Sequence, residues 1–182
     1  MSQNKDLFDA KTVYLRGLEL DDLVHRPVWF NDPEINHTLL MDYPISYAKT
    51  LDWFHRSIKE NKSINLSIID KKAKIVIGMT GLLNIDYRNS NAQFYITIGN
   101  KDFWGQNIAT QVIPRVLEYG FKHHRLHKIY LWTIPENSKA RKVYERNGFK
   151  EEAHMREHYL CRGERKDIIQ HAILYEDFYA TD

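Results

Sequence analysis

The chain has one cysteine, Cys161, and little net charge. A single cysteine cannot close an internal disulfide, which fits a reducing compartment, and we expect a cytoplasmic protein. The 26 Lys and Arg residues nearly balance the 24 Asp and Glu residues, for a formal net charge of +2, and no long block of like charge occurs. Because nucleic-acid-binding proteins carry a concentrated positive charge, nucleic acid is not an expected partner.

Long hydrophobic runs are also missing. No apolar segment approaches the roughly 20 residues that span a bilayer, and the opening MSQNKDLFDAK lacks the apolar core of a signal peptide. We therefore expect neither membrane association nor a secretory leader. The composition, 43% hydrophobic and 27% charged, is typical of a globular protein. The length predicts one domain over residues 1–182, with an ordered core over about 10–180.

Hydrophobic periodicity predicts a mixed α/β sheet. Alternating apolar residues predict strands over residues 12–18, 64–70, 75–87, 92–99, 128–134, 150–160 and 166–175. Helices are predicted from Asp21 or Asp22 to Phe30, as a short helix from Asp32, from Ser46 to about Asn61, and over residues 108–124 and 137–147. Pro27 is predicted to kink or split the first helix. The order of strands, then strand–helix–strand–helix, then a hairpin indicates one α/β domain.

A first motif, WGQNIAT, lies between a predicted strand and a predicted helix. Gly105 can adopt the backbone angles of a tight turn, and Asn107 is of the residue type that best tolerates the left-handed region after glycine. Successive N–H groups at the start of a helix, aided by its dipole, can hold a pyrophosphate. A glycine after a strand is more often only a turn, so this motif alone leaves both interpretations open.

A second motif lies on the last predicted long helix. Its members share one helix face by their spacing, and they are Asn137, Ala140, Arg141, Tyr144 and Gly148. Asn137 opens the helix, and Gly148 is suited to end it. The alternative is a surface helix whose tyrosine packs into the core.

Together the two motifs resemble the GNAT superfamily of acetyl-CoA-dependent N-acetyltransferases. The resemblance rests on WGQNIAT after a strand and on N-x-x-A-x-x-x-Y-x-x-x-G-F farther along. The opening YLRGLELDD is similar to the family's first strand and helix start. The ending HYLCRGERKDIIQHAILYEDF is similar to the last hairpin of its ribosomal-protein and spermidine acetyltransferase branch. The resemblance implies a single-domain fold with a central mixed, mostly antiparallel sheet flanked by helices.

The resemblance also implies which residues bind the cofactor and which take part in the reaction. Backbone amides of residues 105–110 would bind the pyrophosphate of acetyl-CoA, and the main chain around residues 96–98 would pair with its pantetheine arm and polarise the acetyl carbonyl. Tyr144 would protonate or hydrogen-bond the departing thiolate while the amine attacks directly. The implied cofactor-binding residues are Ile96, Thr97, Ile98, Trp104, Gly105, Gln106, Asn107, Ile108, Ala109, Thr110, Asn137, Ala140, Arg141 and Tyr144.

Several residues depart from the family pattern. Asn107 stands where relatives usually have a second glycine, and Pro114 is expected to bend the following helix. Gln93 stands where many members carry a glutamate, and a glutamine cannot act as a base. The proton of the amine would then pass through water or to an acidic residue after the first helix. Glu34 and Asp42, in the region that faces the acceptor in this family, are the candidate catalytic residues that hold a cationic amine or take its proton. The alternative for each is a solvated surface acid.

Other polar and aromatic residues have weaker support. Candidate pocket-lining residues are Tyr43, Tyr95 and Trp104, with core or rim packing as the alternative. Candidate proton carriers are His37, His154 and His158, with surface or hairpin roles as the alternative. His123, His124 and His127 fall at a helix end, where histidine suits the dipole, and no metal site is expected.

The sequence predicts the reaction class but does not determine the acceptor. We expect a small primary amine, such as a polyamine or an amino sugar, to be the substrate. The alternatives are a protein N-terminus, as for ribosomal-protein acetyltransferases, and a non-catalytic acyl-CoA-binding module. A homodimer is common in such families, and no residue pattern here demonstrates one.

Overall fold

The computed structural model describes residues 8–180 and shows one seven-stranded sheet with helices on both faces. The strands are β1 (Val13–Gly17), β2 (Ile64–Asp70), β3 (Val76–Asp86), β4 (Asn91–Ile98), β5 (Lys128–Thr133), β6 (Lys150–Cys161) and β7 (Glu164–Leu174). The α-helices are α1 (His25–Phe30), α2 (Pro33–Asn36), α3 (Tyr47–Glu60), α4 (Ile108–His123), α5 (Ser138–Arg146) and α6 (Tyr175–Tyr179). Short 3-10 helices cover Leu20–Val24 and Lys101–Phe103.

The strand order is β1-β2-β3-β4-β5-β7-β6. All neighbours are antiparallel except β4 and β5, which run parallel because α4 carries the chain across the sheet. The predicted mixed, mostly antiparallel sheet flanked by helices is confirmed. The parallel pairing extends only from Asn91↔Lys128 to Gln93↔Tyr130, although both strands continue beyond it.

Two hydrophobic cores lie on opposite faces of the sheet. On one face, α4 buries residues at helical spacing, including Val112, Val116 and Leu117, against Phe94 and Leu131 of the sheet. On the other face, the segment containing α1 and α3 forms a second core. Side chains alternate along each strand, so each central strand contributes to both layers.

The predicted cap of the first helix is wrong in detail. Glu19 is the N-terminal cap of the 3-10 helix, and Asp22 lies inside the first turn, where its carboxylate accepts a hydrogen bond from the Glu19 N–H at 3.0 Å. Asp22 is 3% exposed and also binds the Arg16 guanidinium at 2.6 and 2.7 Å and the Ser67 hydroxyl at 2.6 Å. The split expected near Pro27 is present, because the 3-10 helix gives way to α1 at His25.

The helix starts predicted at Asp32 and Ser46 are confirmed by capping hydrogen bonds. Asp32 accepts from the Glu34 N–H at 2.9 Å and Ser46 accepts from the Lys49 N–H at 3.1 Å. Helix α4 continues from Ile108 to His123 across Pro114, which lies inside it. Gly148 follows α5 with φ of 87°, the left-handed conformation that ends many helices.

Candidate active site

Strands β4 and β5 separate after Gln93, and we call the opening between residues 94–98 and 131–133 the strand fork. Backbone N–H and C=O groups along a strand point alternately to its two neighbouring strands. The Gly99 N–H donates to the Ile77 carbonyl of β3 at 3.0 Å, so the backbone groups of the odd-numbered β4 residues face β3. The backbone groups of Ile96 and Ile98 consequently face the fork, whereas Thr97 pairs with Met79 on β3. Alternation therefore favours Ile96 and Ile98 over Thr97 as backbone contacts in the fork.

The loop over residues 104–110 begins directly below the fork. Trp104, 43% exposed, donates its indole N–H to the Ile98 carbonyl at 2.8 Å. Gly105 has φ of 75° and Asn107 has φ of 56°. Asn107 thus adopts the left-handed conformation that a glycine would supply, which explains how the loop forms without the family's second glycine.

The N–H groups of residues 105–110 are available at the start of α4. Across residues 8–180, no acceptor for them is present, and the Asn107 side chain makes no capping bond. The loop is exposed up to Asn107, and a Cβ added at Gly105 would meet nothing within 4 Å. A cluster of free N–H groups at the positive end of a helix fits a pyrophosphate.

Helix α5 brings the second motif to the fork. The Asn137 side-chain oxygen accepts from the Ala140 N–H at 3.3 Å, so this oxygen caps the helix. Arg141 forms an ion pair with Glu151 at 3.5 Å. Both contacts occupy polar atoms of residues that the family resemblance assigns to the cofactor. Within residues 8–180, the Asn137 amide nitrogen has no hydrogen-bond partner.

Tyr144 lies at the base of the fork. Its ring is edge-on to Phe94, with ring centroids 6.3 Å apart, and also contacts Phe149 at 5.8 Å. Phe94 is the first residue of β4 beyond the last pairing with β5. The Tyr144 hydroxyl forms no hydrogen bond to any residue in the described part of the chain. Burial raises the pKa of this phenol to about 12, so Tyr144 is a neutral hydrogen-bond donor at physiological pH.

The two candidate acids are held in separate clusters. Glu34 forms an ion pair with Lys101, whose ammonium also binds Asp32 at 2.7 Å. Asp42 accepts a hydrogen bond from the Arg162 N–H at 2.7 Å. Within residues 8–180, no hydrogen bond or ion pair joins either acid to Tyr144. The structure therefore brings Glu34 to the start of the 104–110 loop and Asp42 to the tip of the β6–β7 hairpin.

The contact between Asp42 and the hairpin tip is part of a larger junction that sequence analysis missed. The Arg162 guanidinium donates to the Asn36 carbonyl at 3.3 Å and lies 5.4 Å from the centre of the Tyr43 ring. The buried Cys161 thiol lies 3.4 Å from the Met41 carbonyl. We call these contacts between residues 36–43 and 161–162 the hairpin latch. The partners are too far apart in sequence for a local pattern to indicate them.

The face of the sheet opposite Tyr144 carries polar and aromatic residues at the fork. Tyr95 donates its hydroxyl to the Asn65 side-chain oxygen at 2.8 Å, and Trp132 donates its indole N–H to Gln170 at 3.1 Å. The Gln93 side-chain oxygen accepts from Asn84 at 3.0 Å. Tyr95 was predicted as a pocket residue; Trp132 was missed, because nothing in its own segment indicates that β5 flanks an opening.

In residues 8–180, no group of three or more His, Cys, Asp or Glu side chains is arranged to hold a metal ion. Across the same residues, no helix has both the length and the apolar character needed to cross a membrane.

Comparison with known proteins decides the family. The sequence model of the acetyltransferase (GNAT) domain matches residues 12–150. The chain belongs to the GNAT acetyltransferase family. The predicted family, fold and acetyl-CoA-dependent N-acetyltransferase activity are thereby confirmed.

Individual GNAT relatives cover most of the chain. Spermidine N(1)-acetyltransferase of Vibrio cholerae is 30% identical over 174 residues, which are 90% of this chain and 94% of the relative. The crystal structure of spermidine N-acetyltransferase from Vibrio cholerae in complex with CoA and spermine has a TM-score of 0.84 and 31% identity, covering 92% of this chain and 98% of that one. The putative ribosomal N-acetyltransferase YdaF of Bacillus subtilis is 30% identical over 101 residues, 56% of this chain and 55% of the relative.

The residues present fit the acetyl-CoA that GNAT enzymes use. The free N–H groups of residues 105–110 suit its diphosphate, and the unpaired backbone of Ile96 in the fork suits an amide-containing arm. Asn107 supplies the loop geometry, and Tyr144 supplies a neutral hydroxyl beside the fork.

Proposed function

We propose that this GNAT enzyme acetylates a primary amine of a small molecule, with a polyamine as the first candidate acceptor. The proposal rests on one observation. Three features lie around the strand fork: the loop with free N–H groups at the start of α4, the separated strands β4 and β5, and the Tyr144 hydroxyl. The named spermidine acetyltransferases that match nearly the whole chain support the choice of acceptor.

Backbone groups bind the acetyl-CoA. N–H groups of residues 105–110 hold the diphosphate, and the exposed edge of β4 at Ile96 aligns the arm that follows it. Acetyl-CoA supplies an activated acetyl thioester. An N–H of this edge can also donate to the acetyl carbonyl oxygen as negative charge develops there.

Tyr144 acts on the leaving sulfur by hydrogen bonding. A phenol with a pKa of about 12 holds its proton more tightly than an ordinary thiol, whose pKa is about 8.5. Full proton transfer from Tyr144 to the thiolate is therefore unfavourable in this environment. A hydrogen bond to the thiolate remains favourable, because charge-assisted hydrogen bonds are strong where water is excluded.

The acidic residues provide chemistry suited to a cationic acceptor. Asp32 and Glu34 already hold one ammonium group, that of Lys101. A polyamine presents the same group and can compete for these carboxylates. Asp42, which accepts a hydrogen bond from the Arg162 N–H, contributes a further negative charge in the hairpin latch.

A protein N-terminus is the second candidate acceptor. It is supported by the match to the putative ribosomal N-acetyltransferase over 56% of this chain. That match covers a smaller share of the chain than the spermidine acetyltransferases do, and it therefore ranks second.

A thiol-release assay tests the function. The protein is incubated with acetyl-CoA and, in turn, spermidine, spermine, amino sugars including nucleotide-linked ones, and short N-terminal peptides. We expect amine-dependent thiol release that is fastest with a polyamine. Release only with peptides would favour the second candidate, and CoA binding without release for any amine would indicate a non-catalytic acyl-CoA-binding module.

A further inference from the structure

The strand fork opens onto two faces that differ in chemistry. Phe94 and Leu131 belong to the core beneath α4, and Tyr144 packs on that face. Because side chains alternate along a strand, Tyr95 and Trp132 point from the opposite face. A carrier held by α4 and α5 approaches from the Tyr144 face, so the amine reaches the same fork from the face of Tyr95 and Trp132.

An amine arriving on that face needs a group that takes its proton, and most titratable groups there are engaged. The Tyr95 hydroxyl donates to Asn65, and burial raises the pKa of both Tyr95 and Tyr130. Glu152 lies 2.6 Å from the Lys128 ammonium. Partial burial raises the pKa of Glu152, but the hydrogen bond from Lys128 prevails and lowers it, which leaves a weak base.

His158 lies on this face without such an engagement. Its ring meets that of Trp132 edge-on, with centroids 5.5 Å apart and an interplanar angle of 83°. The indole of Trp132 is itself fixed by Gln170. Among residues 8–180, none forms a hydrogen bond or an ion pair with His158, and its side chain is exposed.

A bulge in β6 gives His158 this position. Between the residue pairs Met155↔Ile168 and Tyr159↔Lys166, β6 contains more residues than β7, which defines the bulge. Bulges bend a strand and redirect a side chain, and they are frequent next to active sites.

The bulge is held by one aspartate. Asp167 accepts from the Glu157 N–H at 2.8 Å, where Glu157 has a left-handed φ of 50°. The other oxygen of Asp167 contacts the His154 ring at 2.8 Å. Two further charged residues lie close along the strands: Arg156, two residues before His158 on β6, and Lys166, which is the β7 partner of Tyr159 and pairs with Glu164 at 2.6 Å.

We propose that His158 is the general base that accepts the proton of the acceptor amine, the role for which Gln93 is chemically unsuited. The assignment rests on the proposed acetyl transfer. As the amine nitrogen bonds to the acetyl carbon, the imidazole takes the proton that the nitrogen loses. The electron pair of the broken carbon–sulfur bond stays on sulfur, beside the Tyr144 hydroxyl. Because His158 is exposed, it returns its proton to water.

The test compares pH–rate profiles of wild type, His158→Gln and the matched control His154→Gln, whose ring lies on the same strand but contacts Asp167. The substrates are acetyl-CoA and the best amine found for the wild type. We expect His158→Gln to lower kcat/KM by about 10²-fold. His158→Gln should also flatten the acidic limb of the pH–rate profile measured for wild type. CoA affinity should be unchanged, and free imidazole should partly restore activity to His158→Ala.

The outcomes separate this assignment from the function itself. A pH profile and rate for His158→Gln within twofold of an active wild type would overturn the assignment and leave acetyl transfer intact. An equal loss in His154→Gln without imidazole rescue would also overturn it, because it would show a structural effect of the bulge. A wild type that releases no thiol with any amine would overturn both proposals.

Discussion

The ring of Tyr144 meets the ring of Phe94 edge-on at an interplanar angle of 82°, at the residue where β4 leaves β5. Tyr144→Phe keeps this contact and removes only the hydroxyl. We expect kcat for thiol release to fall by about 10²-fold, with little change in the affinity for CoA, measured by calorimetry. An unchanged kcat would remove Tyr144 from the acid or hydrogen-bonding role.

Asn107 tests the loop that is assigned to the diphosphate. Its φ of 56° suits glycine or asparagine and strains a β-branched residue. Asn107→Gly should bind CoA nearly as well as wild type. Asn107→Val should cost about 1–2 kcal/mol of folding free energy and weaken CoA binding, as read from thermal unfolding and calorimetry. Equal CoA affinity in the two variants would argue against a role for this backbone conformation.

Gly99 connects β4 to the loop and leaves no room for a side chain. A Cβ at Gly99 would lie 1.9 Å from the Trp29 ring, whereas a Cβ at Gly17 would meet nothing within 4 Å. Gly99→Ala should therefore destabilise the protein by about 1–3 kcal/mol in urea unfolding, and Gly17→Ala, the matched control, should stay within about 0.5 kcal/mol. Similar values for the two variants would contradict the packing of α1 on this turn.

The buried carboxylate of Asp22 is expected to make the folding stability of the protein depend on pH. Burial raises its pKa, but hydrogen bonds from Arg16 and Ser67 outweigh burial and lower it below the ordinary value. Since the folded-state pKa lies below the unfolded one, the stabilisation is present above about pH 3.9 and is lost as the pH falls through the folded pKa. Asp22→Asn should lower the unfolding free energy by about 3 kcal/mol at pH 7.

Urea unfolding of wild type and Asp22→Asn across pH checks this sign. The difference between them should be full at neutral pH and shrink in the acid range below about pH 3.9. A difference that is constant with pH would show that the charge of Asp22 is not what stabilises the first turn.

The hairpin latch predicts an effect on the acceptor rather than on CoA. Asp42→Asn weakens a hydrogen bond to the Arg162 N–H and removes a negative charge. If a cationic amine is the acceptor, KM for the amine should rise several-fold while CoA affinity stays constant. Initial rates at varied amine concentration measure this, and an unchanged KM would remove Asp42 from acceptor binding.

Local chemistry explains what the sequence could predict. Asp32, Ser46 and Asn137 were identified as helix starts because each cap acts on an N–H only a few residues away. The 104–110 loop was found for the same reason, since Gly105 and Asn107 are the residue types that its backbone angles require.

Features that depend on distant partners were not predictable. Asp22 was taken for a cap, although its carboxylate is fixed by Ser67 from another strand. No pattern near Asp42 indicates that Arg162 will lie beside it, and none near Gln93 indicates that β4 and β5 part there. These depend on the tertiary arrangement of the sheet, which hydrophobic periodicity does not specify.

A crystal structure of the protein with CoA tests the central claim most directly. The account predicts the diphosphate on the N–H groups of residues 105–110, the arm along Ile96 in the strand fork, and the sulfur within hydrogen-bonding distance of the Tyr144 hydroxyl. CoA bound elsewhere, or a Tyr144 hydroxyl turned into the core beneath α4 and away from the sulfur, would contradict it.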